Sequence, residues 1–234
     1  PAQETQPIGG FPFQEPVTAP EIPAPVAPPI TEPVSVIPEP APIPEPVPAE
    51  VPQPVQEAPA QETAQQTGEV HGLEAPIAEK PILMTSAGQS ADVQMLYAVA
   101  QKSGLEAEVR AVAEADQLDA DAYKTLIIAV GGSSKGLGAA GIDADEEKVR
   151  VQKIIDKFKD STTIIVAHIG GEARRGELSD GFINAVLPYA QYILVVKGGD
   201  NDGLFTQAAQ ANGIPMDVCE SISDVGSTLL KAFK

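Results

Sequence analysis

The chain has 234 residues, with 23 prolines, a single cysteine and a formal net charge of −18. Acidity on this scale excludes nucleic acid and anionic membrane surfaces as partners, because both are held through Lys and Arg. One cysteine excludes a disulfide within the chain, and no run approaches the ~18 apolar residues of a membrane span.

Composition divides the chain in two. Of the prolines, 21 fall in residues 1–81, and residues 1–80 carry 12 Glu against one cation, Lys80, a balance of −11. The remainder holds 14 cations and 21 acids, a balance of −7. Residues 81–234 are enough for one domain with a single core.

In residues 1–80, words such as PEPAPIPEPVPAEVPQPV exclude helix and interior strand, because each proline removes a donor and pushes its predecessor toward extended geometry. Polyproline II at ~3.1 Å per residue is the expected conformation. This arm reads either as a solvated spacer or as a docking segment. For docking speak aliphatics about every four residues: Val17, Ile22, Val26, Ile30, Val34, Ile37, Ile43, Val47, Val51 and Val55. Phe11 and Phe13, two of six phenylalanines, mark the far end as an anchor for another subunit. Residues 61–79 read as a polar linker, with His71 an exposed bystander rather than a metal ligand. The sequence starts at Pro1, and the arm lacks Lys and Arg before Lys80. Both suggest an upstream piece removed on export to the cell surface or beyond.

From residue 81 onward short apolar runs alternate with helical patterns. Strands are expected at 82–85, 108–112, 125–130, 162–168, 192–196 and 216–218, which is a βαβ series. Ser90 is expected to open a helix to Lys102, Asp143 with Glu146 to form a capping box for a helix to Lys159, and Ser179, Asp202 and Ser223 to open three more. The fold class is therefore α/β, a flavodoxin-like doubly wound parallel sheet of five or six strands in the order 2-1-3-4-5, preceded by the extended arm. Cys219 falls in the last strand, as a buried thiol.

In such sheets ligands bind beyond the carboxyl ends of the strands, near the reversal of strand order. Four glycine-bearing loops are expected there: TSAGQS (85–90), GGSSKGLG (131–138), HIGGEARRGE (168–177) and KGGDNDG (197–203). They bring Thr85, Ser86, Gly88, Ser90, Gly131, Gly132, Ser133, Ser134, Lys135, Gly136, His168, Arg174, Arg175 and Lys197 to one rim. Cations beside free N–H groups point to a small anion, a carboxylate or phosphate. The bland alternative is that the glycines are steric and that Arg174 and Arg175 pair with Glu172 and Glu177. His168 reads as a base for Ser86 or Ser133, or as a strand-end histidine bonded to backbone. DNDG lacks the downstream acid of a calcium loop and reads as a helix cap. GGSSKGLG lacks Walker spacing, there is no G-x-S-x-G elbow, and no metal site is expected.

TSAGQS resembles the phosphate loop of flavodoxins at Thr85, Gly88 and Ser90, but Ala87 stands where that pattern has a hydroxyl. Flavodoxins also stack the flavin on aromatics, and none occurs in GGSSKGLG or HIGGEARRG. No flavin or other cofactor is expected. GGSSKGLGAAGID, HIGGEARRGELSD and KGGDNDGLF resemble an uncharacterised family of bacterial domains carried on exported proteins. That resemblance spans most of 81–234 and implies a flavodoxin-like or Rossmann-like fold with no established activity.

Two functions follow as expectations. One is a secreted structural subunit whose arm packs on other copies of itself to build an extracellular filament. The other is an exported module, binding or enzymatic, that takes a small anion at the rim and is carried on a proline-rich stalk.

Overall fold

A computed structural model describes residues 70–234. The arm with Phe11, Phe13 and the aliphatics from Val17 to Val55 lies outside the described residues, as do residues 61–69 of the linker.

Six parallel strands form one sheet: β1 (Ile82–Ala87), β2 (Glu108–Val109), β3 (Thr125–Val130), β4 (Thr163–His168), β5 (Tyr192–Val196) and β6 (Met216–Cys219), in the order β2-β1-β3-β4-β5-β6. This is the flavodoxin-like order, extended by a sixth strand. The register pairs Ile82 with Thr125 and Thr125 with Thr163, so the three central strands start level.

The unbroken apolar runs are explained by burial on both faces. Side chains alternate along β3: Leu126, Ile128 and Val130 enter one core cluster, Ile127 and Ala129 the other. Helices α3 (Ala144–Phe158), α4 (Glu177–Val186) and α5 (Leu204–Asn212) cover the first face. The opposite face is covered by α1 (Asp92–Lys102) and α6 (Ile222–Leu230).

Several expected boundaries shift, each for a local reason. GGSSKGLG is only partly loop. The Ser133 hydroxyl accepts from Gly136 N–H, and α2 (Ser134–Ala140) follows, ending at Gly141 in the left-handed region. Ser179 does not open α4, which starts after Gly176, and its hydroxyl is buried and accepts from Gly132 N–H at 2.9 Å. The last helix is capped by Ser221 with Asp224, not by Ser223. Within DNDG, Asp200 does more of the capping than Asp202, accepting from Phe205 N–H, Thr206 N–H and the Thr206 hydroxyl. Ser90 accepts from Asp92 N–H just ahead of α1. The expected capping box at Asp143 and Glu146 is present. β2 stops at Val109, although Arg110 N–H still bonds Met84 O, and Ser86 N–H bonds Ala111 O.

Residues 70–80 are not a polar linker but a strap along the amino ends of the strands. Met216 N–H donates to His71 O, Leu73 N–H to Asp217, Ile77 and Ala78 N–H to Ala232 O, and Glu79 N–H to the Thr125 hydroxyl. Ala78 is fully buried. The polar letters of 70–80 conceal this because the strap is held mainly by its backbone.

No helix among the described residues is long and apolar enough to cross a membrane.

Candidate functional site

The carboxyl ends of β1, β3, β4 and β5 bring the four glycine loops together. The first two are zipped by backbone bonds from Gly131 N–H to Ala87 O and from Ser133 N–H to Gly88 O, beside a bridge between Gln89 and Gly132. Their approach requires glycine. Gly88 has φ +102°, and a Cβ on Gly136 would run into the carbonyl oxygen of Gln89. The glycines here serve close packing.

Beneath this junction lies a buried ion pair that the sequence reading did not single out. Glu147 is fully buried and Arg150 is 6% exposed. Arg150 reaches both Glu147 carboxylate oxygens, Nε to Oε2 at 2.8 Å and Nη2 to Oε1 at 2.7 Å. Its remaining donors bond Ala113 O and Ser86 O, both at 2.6 Å. Glu147 also accepts from Gly88 N–H at 2.9 Å and the Gln89 side-chain amide at 2.7 Å. Burial pushes the Glu147 carboxyl up, but the Arg150 guanidinium and the two amide donors outweigh it, and the carboxyl lies below its usual range. The pair therefore clamps the segments after β1 and β2 onto α3. A signal existed in the sequence: Glu147 occupies the same helical stripe as Val151, Ile154, Ile155 and Phe158.

The hydroxyl groups of the first loop are spent internally. Thr85 and Ser86 are buried and both donate to Ala111 O, Ser86 at 2.6 Å; Thr85 Oγ1 also accepts from Ala113 N–H. His168 is fully buried, with Nδ1 3.0 Å from Val130 O and Nε2 3.1 Å from Gly171 O. Neither Ser86 nor Ser133 is among its hydrogen-bond partners, so the imidazole is bonded to backbone. Its ring stacks on Phe205, centroids 5.5 Å apart, and Arg175 lies over the Phe205 ring at 5.6 Å.

Three of the four rim cations, Arg174, Arg175 and Lys197, face carboxylates, though not the expected ones. Arg175, 11% exposed at its side chain, pairs with Asp202 at 2.8 Å and Asp180 at 2.7 Å and donates to Gly199 O. These pairs push its pKa up against partial burial, with Asp202 the largest contributor. Lys197 pairs with Glu220 at 2.6 Å, both side chains exposed. Arg174 approaches Asp92 at a looser 3.4 Å. Asp92 Oδ2 is buried without a hydrogen-bond partner, facing Gly131 and Gly170. Ser134 and Lys135 are exposed in the first turn of α2.

Residues 79–233 match the family model described as a domain of unknown function, DUF6305. No curated protein and no solved structure matches the chain.

Proposed function

We propose that this chain, which belongs to the DUF6305 family, is a secreted structural subunit whose proline-rich arm packs on neighbouring copies to build an extracellular filament. The observation that carries this reading is the arm itself: aliphatics at about every fourth residue from Val17 to Val55, ending in Phe11 and Phe13. A solvated spacer needs none of them. The domain supports it in a second way. Arg175 and Lys197 already bond carboxylates of the same domain, and the first loop's hydroxyls are used in packing, as suits a rigid building block. An arm reaching from one domain to the next makes a heterologous contact, which grows instead of closing. Electron microscopy of the purified chain tests this. Fibres are expected, deletion of residues 1–59 should abolish them, and unchanged assembly after that deletion would refute the arm's role.

A second reading keeps the rim as a small-anion site on a stalk. Favouring it is Arg174, whose side chain is 41% exposed and held to Asp92 at only 3.4 Å. Thermal shift against phosphate and dicarboxylates decides it: a ligand at 100 times its dissociation constant adds about 2.7 kcal/mol. Removal of Arg174 and Lys135 should then erase the shift.

A further inference from the structure

The strap forms one wall of a trough of about 570 Å³ at the amino end of the sheet, lined by Val70, Leu73, Ile77, Ile214 and Pro215 among others. Ile77 and Pro215 also line a neighbouring hollow of about 500 Å³, so the two adjoin at these side chains. Ile77 is 37% exposed, one of few large apolar side chains so displayed among the described residues. An apolar trough of this kind is completed by an apolar occupant.

The chain arrives at Val70, which itself lines the trough, and 69 residues precede it. The segment that arrives, QETAQQTGE (61–69), offers a single small apolar side chain, Ala64, and cannot supply that occupant. The nearest aliphatic-rich stretch is 17–55, with prolines between its valines and isoleucines. Prolines at this density favour polyproline II geometry, and segments of that kind dock through their side chains at little further entropy cost. The filament reading supplies that stretch from a neighbouring copy.

We infer that the trough takes residues 17–55 of a second copy of this chain, an inference that rests on the filament reading and names its docking site. One domain's amino-end trough thereby receives the arm of the next, and each subunit both gives an arm and accepts one.

Photo-crosslinking from inside the trough tests this on the full-length protein. A benzophenone amino acid replaces Ile214 in ¹⁵N-labelled chains, which are mixed with unlabelled chains and irradiated. Crosslinks from position 214 to peptides within 17–55 of unlabelled chains are expected. Crosslinks only to the labelled chain's own arm, to the α/β domain of another copy, or to nothing, would each overturn the inference. The variants Ile77→Glu and Ile214→Glu, imaged by electron microscopy, are expected to lose fibres, and fibres unchanged in both would overturn it too. Failure of the two readings is separable. Wild-type protein without fibres sinks the filament, while an intermolecular arm crosslink in that same sample leaves the trough as the site of a closed exchange between copies.

Discussion

Arg150 grips both carboxylate oxygens of Glu147, one turn earlier on α3, at 2.7 and 2.8 Å with the pair shut away from solvent. The remaining donors of the pair hold Ser86 and Ala113, so a helix on one face of the sheet fixes the loops at its carboxyl end.

Arg150→Ala leaves that carboxylate buried and unpaired and is expected to lower stability by about 3–5 kcal/mol. Urea unfolding measures it, and a loss under about 1 kcal/mol would contradict the clamp. Replacing both partners, as Glu147→Gln with Arg150→Met, should recover part of the loss, because no charge then remains buried.

The same pair sets an acid limit. The Glu147 carboxyl is depressed in the folded state, so its contribution is present above the ordinary Glu value of ~4.3 and is lost as pH falls through its lower native value. Stability from this source should hold flat through neutral pH and decline only below about pH 4. In Arg150→Ala the carboxyl keeps the Gly88 N–H and the Gln89 amide but loses the guanidinium that offsets burial, so its native value rises and the acid-side loss from this group should shrink or reverse.

Two glycines in one word should respond with opposite sign. Gly136→Ala drives a methyl group into the Gln89 carbonyl and should cost about 1–3 kcal/mol. Gly138, in the same helix, has nothing within 4 Å of an added Cβ, so Gly138→Ala should stabilise by roughly 0.5–1 kcal/mol through helix propensity. Thermal denaturation of the two variants side by side reads both.

Arg175→Lys removes the fork that spans Asp180, Asp202 and Gly199 O and weakens the contact over Phe205. A lysine offers one point charge in place of that geometry. The expected loss is about 1–3 kcal/mol, measured by chemical denaturation, and a wild-type midpoint would show the network to be ornamental.

Of two truncations, removing residues 1–69 takes nothing from the domain's own bonding, whereas removing 1–80 should lower the unfolding midpoint sharply below that of the shorter deletion. The second deletion takes away the strap's bonds to Met216, Asp217, Thr125 and Ala232 at about 1 kcal/mol each, together with buried Ala78. Equal midpoints for the two truncations would mean that the strap adds nothing.

How legible was this molecule in its letters? The six strands, the order 2-1-3-4-5 and most helix spans are local matters: apolar runs of strand length, capping residues and right-handed crossovers leave few alternatives. The meeting of TSAGQS, GGSSKGLG and HIGGEARRG at one rim follows from the same topology. α2 is hidden because its two glycines, Gly136 and Gly138, argue against a helix, which Ser133 and Gly141 nevertheless cap at both ends.

What only the tertiary structure decided is the use of the polar residues. Arg175 and Lys197 could have faced a ligand, and they face Asp180 nearby and, far along the chain, Asp202 and Glu220. Glu147 and Arg150 are an ordinary acid and cation three apart on a helix until their stripe is placed against β1, where burial turns them into a clamp. Residues 70–80 read as linker until backbone bonds tie them under the sheet. In each case periodicity says where a side chain lies along its element, while its partner comes from an element distant in sequence, and long-range pairing leaves no local mark.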